Sequence, residues 1–238
     1  MKFQQLSAIR KELLDCSSKE KARVSRRFFK TGPGEYAEGD KFIGVQVPDV
    51  RIIAGKYANL PEKVTLDLLH SPIHEERLLA LLILIAQFGK AGDLERNKIY
   101  RLYLKNTTWI NNWDLVDLSA SQIVGVFLRE KDKKPLYKLA KSRIIWERRI
   151  AIVSTFALIK NREFKEVLKI SEMLLGDRED LIHKAVGWML REAGKRDQRT
   201  EEQFLKKHAK QMPRTMLRYA IEKFPEKKRH YYLFIPRD

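Results

Sequence analysis

The sequence predicts an all-α protein: HEAT-like helical repeats stacked into a curved solenoid with a basic concave groove. Three observations carry this. Apolar residues recur at helical spacing along almost the whole chain, and few runs alternate with period two. Prolines and capping residues stand at the ends of the periodic segments. The segments also recur in pairs roughly 35–45 residues apart, a period typical of helical solenoids. The pairs share no clear sequence signature, so a non-repetitive bundle also fits the spacing.

The predicted helices cover residues 3–15, 18–30, 48–58, 61–70, 72–89, 93–105, 112–129, 133–141, 145–160, 162–175, 179–194, 198–210 and 213–224. Pro61, Pro72 and Pro213 each open a periodic segment, where a missing backbone N–H costs least. Ser71 before Pro72, and Asn111 or Asn112, are suitable N-caps. One long irregular stretch, TGPGEYAEGDKFIGV at 31–45, separates the first helix pair from the rest. It is a plain connection, a hinge or a loop that contacts substrate. A single domain over residues 1–238 is expected.

Composition narrows the function. Hydrophobic residues make up 44% of the chain, enough for a packed core, so this is no disordered basic tail. Lys and Arg number 48 against 31 Asp and Glu, a net charge of +17. Solubility in a small domain is usually served by a net charge of about 2–8. The surplus therefore points to a polyanion, although a merely solvated surface is the ordinary alternative. No apolar run of about 18 residues and no lipidation signature appears, which argues against a membrane partner. Cys16 is the only cysteine, so the chain itself forms neither a disulfide framework nor a cysteine zinc cluster. The start, MKFQQLSAIRKELLD, lacks a signal-peptide core. A cytoplasmic location is expected.

Three segments are candidates for chemistry. On the helix over 179–194, Ile182, Ala185, Val186, Met189 and Ala193 form one apolar face. Lys184, Trp188, Arg191 and Lys195 fall opposite, so Trp188 is either packing filler or a contact to sugar or base. In NNWDLVDLSASQIVG at 111–125, Asp114 lies in a first turn, where a carboxylate commonly complements the helix dipole. Asp117 lies further in and shares a face with Trp113, one turn earlier. It is a functional carboxylate or half of an ion pair. In RIIWERRIAI at 143–152, Trp146, Arg148 and Arg149 come together, for phosphate contact or as a solvated charged face. His70 and His74 flank Pro72 without a zinc-protease pattern, so capping or surface placement is expected for them. There is no phosphate-binding glycine loop and no nucleophile elbow.

At these segments the sequence resembles the bacterial DNA alkylation repair family of HEAT-like glycosylases, the AlkD family. The likeness covers nearly the whole chain. Its strongest stretches are FFKTGPGEYAEGDKFIGV, SPIHEERLLALLIL, INNWDLVDLSA, WERRIAI, HKAVGWMLREAGKRD and MPRTMLRYAIE. The resemblance implies that WDLVD places a catalytic aspartate at Asp117, with its flanking tryptophan at Trp113. It implies a second tryptophan at Trp188, in the KAVGWMLRE segment, and a backbone-contacting arginine at Arg149, three residues after Trp146.

The resemblance further implies excision of N3-methyladenine and N7-methylguanine from duplex DNA without flipping of the base, a departure from the usual rule. Arg148, Lys184, Arg191 and Lys195 are expected to join Arg149 on the DNA. Neither a metal nor an organic cofactor is expected. The expected partner is duplex DNA carrying alkylated bases, with no membrane, no obligate protein partner and a monomeric state. A non-catalytic module that binds branched or distorted nucleic acid is the alternative.

Overall fold

The computed structural model describes residues 2–236 and is helical throughout. The chain divides into two compact units, Met1–Leu115 and Val116–Asp238. The first holds α1 (Lys2–Asp15), α2 (Lys19–Phe28), α3 (Val47–Lys56), α4 (Glu62–Leu69), α5 (His74–Lys90) and α6 (Asp93–Lys105). Next comes α7 (Trp113–Ala120), which begins in the first unit and ends in the second. The second unit continues with α8 (Val126–Leu128), α9 (Lys134–Ala140), α10 (Ile145–Lys160), α11 (Lys165–Met173), α12 (Asp180–Gly194), α13 (Gln198–His208), α14 (Arg214–Ala220) and α15 (Glu226–Leu233).

Each unit is organised around a helix buried on nearly all sides. In the first it is α5, which packs against α3, α4 and α6. Leu78 to Leu84 of this helix are all buried. In the second it is α10, packed against α9, α11 and α12, with Ile150, Ala151, Ile152, Leu158 and Ile159 fully covered. Hydrophobicity all around a helix marks a central position, which is why neither helix shows a one-sided apolar stripe. Each fully buried Leu or Ile contributes about 1.5–3 kcal/mol.

The predicted helices are found with small shifts at their ends. The segment expected at 112–129 carries a π-helical stretch, Ser121–Gly125, between α7 and α8. A Cβ on Gly125 would lie 2.2 Å from the Ser154 carbonyl oxygen of α10, so glycine permits this close crossing. Gly187 does the same between α12 and α14: its Cβ would meet the Met216 carbonyl oxygen at 2.4 Å. Helix α15 has no counterpart among the helices that the sequence predicts.

The 31–45 stretch is pinned rather than free. A parallel bridge joins Lys41 to Ile73, and His74 N donates to Lys41 O at 2.8 Å. The carboxylate of Glu75 accepts from the backbone N–H groups of Ile43, Gly44 and Val45. The stretch is thus a structural loop strapped across the start of α5.

Candidate active site

In the C-terminal unit, Asp117 on α7 meets Arg149 on α10. Arg149 Nε donates to Asp117 Oδ1 and its Nη2 to Oδ2, each at 2.8 Å. This fork fixes the carboxylate plane more tightly than a point charge could. Arg149 Nη1 donates in addition to the Leu181 carbonyl, in the first turn of α12. The arginine side chain is 6% exposed and that of Asp117 20%. A buried guanidinium therefore presents a carboxylate that solvent still reaches.

Trp188 stands two turns further along α12 and is half-buried. Its ring centroid lies 6.2 Å from that of Phe156 on α10. Lys160 Nζ sits 4.6 Å and Arg196 Cζ 5.6 Å from the Phe156 centroid, both in cation–π range. Phe156, Lys160 and Arg196 escaped the sequence reading. The end of the long apolar run on α10, where Phe156 precedes Lys160, carries the signal for those two, whereas Arg196 lies just past the end of α12.

The cations assigned to DNA differ in how they are held. Arg148 is anchored within the protein: its Nε donates to Asp177 at 2.6 Å, and its Nη1 to the carbonyls of Ser142 and Arg143 at 3.0 Å. Arg191 pairs with Glu222 and its side chain is 15% exposed, so it does not stand on an open face as the helical pattern predicts. Lys184 and Lys195 are more open, paired with Asp180 at 2.8 Å and Glu192 at 2.6 Å on their own helix. The Lys184–Asp180 pair is exposed on both sides and therefore weak, whereas Lys195 pairs with a largely buried Glu192. Trp146 is buried, which corrects both the phosphate-contact and the solvated-face readings for it.

In the N-terminal unit, Trp113 belongs to an aromatic cluster. Its indole Nε1 donates to the Tyr36 hydroxyl at 3.2 Å. Its ring stacks on Phe29 at 5.3 Å and meets the edge relation of Phe28 at 5.8 Å. Asn112 Oδ1 accepts from Trp113 N, while Asn112 Nδ2 donates to Asp40. Nearby, α2 exposes Lys19, Lys21, Arg23, Arg26 and Arg27, with Phe28 63% exposed. This basic helix was not singled out from sequence, although its KEKARVSRRF run carries the signal.

The first turn of α5 overturns a second expectation. His74, Glu75, Glu76 and Arg77 are consecutive, polar and all buried. Glu76 is forked by Arg10, and Arg77 donates to Asp40 and to the Ser71 carbonyl. His74 is neither a cap nor a surface residue: its Nε2 lies 2.8 Å from Asp114 Oδ2 and its Nδ1 3.3 Å from Asp40 Oδ2. Burial pulls the imidazole pKa down, but the bonds to Asp114 and Asp40 outweigh that and raise it above the ordinary value. Burial likewise pushes Asp40 up, and His74, Arg77 and Asn112 bring it below the usual carboxylate range. Asp114 thus does more than complement a helix dipole.

The sequence model of the family described as "DNA alkylation repair enzyme" matches residues 9–224. The chain belongs to that family. A DNA repair role follows, with DNA as the partner. A solved structure described as "Predicted DNA alkylation repair enzyme from Enterococcus faecalis" has the same fold, with a TM-score of 0.68 at 15% identity. The similarity covers 88% of this chain and 97% of that one. No curated protein matches the chain. Among the described residues, no helix is long and apolar enough to cross a membrane.

Proposed function

We propose that the chain is a monofunctional DNA glycosylase acting as a cytoplasmic monomer. It releases positively charged alkylated purines, N3-methyladenine and N7-methylguanine, from duplex DNA by hydrolysing the N-glycosidic bond. The observation that carries this reading is the Asp117 carboxylate, held by a buried Arg149 yet open to solvent, in a chain of the DNA alkylation repair family.

The chemistry asks for little else. An alkylated purine already carries a positive charge and departs as a neutral base, so no acid need protonate it. As the bond breaks, positive charge moves to the sugar. A preorganised anion beside that sugar stabilises the charge as it forms. Asp117 supplies the anion and orients the attacking water. An indole face such as that of Trp113 or of Trp188 can attract a cationic nucleotide by about 0.5–2 kcal/mol, and on this reading the base does not leave the stack. Lys184 and Lys195 hold phosphates and set the register. The pairing of Arg148, Arg149 and Arg191 inside the protein makes their part indirect: they fix α7, α10 and α12 rather than reach for the backbone.

Methylated duplex DNA incubated with excess protein should release free methylpurine, and unmethylated duplex should release none. Salt-sensitive binding without release would replace this reading with a non-catalytic binder of distorted nucleic acid.

A further inference from the structure

Asp40, His74 and Asp114 come from the 31–45 loop, α5 and α7. Both ring nitrogens of His74 face carboxylate oxygens, so both bonds form only when the ring is an imidazolium with two N–H donors. The ring also lies in a column of aromatics. Phe42 stacks on it at 4.5 Å, Phe29 lies 5.1 Å away, and Phe29 in turn stacks on Trp113. Asp40 further holds Asn112, whose side chain accepts the Trp113 backbone N–H.

We propose that His74 is a positioning residue for Trp113: as an imidazolium it ties the loop, α5 and α7 together and seats the rings against which the indole rests. The other charged groups around it are fixed in role. Arg77 is committed to Asp40, and Glu75 to the loop backbone. Glu20 and Lys21 of α2 line a cavity of about 610 Å³ that also borders His74 and Asp114. That cavity gives hydroxide a route to a ring otherwise 3% exposed. Loss of the proton leaves one carboxylate facing a lone pair and loosens the seat. Because the folded pKa is raised, the arrangement is complete below the ordinary histidine value and is lost as pH rises through the folded one.

The consequence for catalysis rests on the glycosylase reading, so two readouts are needed. The first is Trp113 emission, taken as the wild-type spectrum minus that of Trp113→Phe, from about pH 6 to 9, below the ordinary range of phenol ionisation. It should titrate in the wild type, shift about one pH unit or more lower in Asp114→Asn, and show no such step in His74→Gln. The second is the alkaline limb of methylpurine release, which should move with the first. Identical titrations in the wild type and Asp114→Asn, in either readout, overturn the proposal. Asp114→Asn retains the histidine, so the test survives if His74→Gln does not fold. An emission titration that shifts as stated, with no base release from any variant, supports the positioning role and sinks the glycosylase reading instead.

Discussion

Two aspartates on one helix, Asp114 and Asp117, differ in what holds them. Asp114 pairs with a titratable imidazole through one oxygen, and its Oδ1 is buried without a hydrogen-bond partner. Asp117 has both oxygens in the fork of an arginine that stays charged. Their side chains are almost equally exposed, 18% and 20%, so exposure alone does not tell the two apart. The partner does. A permanent cation holds its carboxylate with no proton of its own to lose, whereas a histidine makes its carboxylate part of a seat that pH can loosen.

The comparison breaks most readily at Arg149. Arg149→Ala leaves Asp117 without its fork and should cost about 3–5 kcal/mol of stability, read by urea denaturation, because it removes one partner of a largely buried pair. Arg149→Lys keeps the charge but not the fork. It should fold better than the alanine variant yet recover only part of the release rate.

A third carboxylate extends the comparison. Glu201 on α13 has a side chain covered by protein, and burial pushes its pKa up to about 8, helped by Glu202 and opposed by Arg191. Its folded value lies above the unfolded one, so the protonated form favours the fold. That contribution is complete below the unfolded value and is lost as pH rises through about 8. Glu201→Gln should therefore raise the melting temperature at alkaline pH, by about 1 kcal/mol or more of stability, and change it little in acid. An unchanged difference between wild type and variant across this range would contradict the assignment.

The smallest effects sharpen the division among the cations. Lys184→Ala should lower the salt slope of DNA binding by about 1 and leave stability nearly unchanged. Arg148→Ala should do the reverse, destabilising the fold through the lost Asp177 pair while the salt slope holds.

These contrasts also explain what was legible in the sequence. The helices were, because apolar periodicity survives in almost every segment. The π-helical stretch was not, since the approach of Gly125 to Ser154 on another helix accompanies it. Nor was α15, whose EKKRHYYL run has almost no apolar stripe. Asp117, Trp113, Trp188 and Arg149 stood out by motif, but the sequence could not show that Arg149 turns inward to Asp117. The burial of His74 was illegible for a similar reason. HEER looks like a solvated first turn, and its partners Asp40 and Asp114 lie far away along the chain.

The central claim is that Asp117, and not Asp114, is the anion that serves the reaction. Single-turnover release of methylpurine by Asp117→Asn and Asp114→Asn, side by side near neutral pH with both folded, tests it most directly. Asp117→Asn should be slower than wild type by about 10²-fold or more, and Asp114→Asn by less than about tenfold. Equal losses, or a larger loss in Asp114→Asn, would contradict the account.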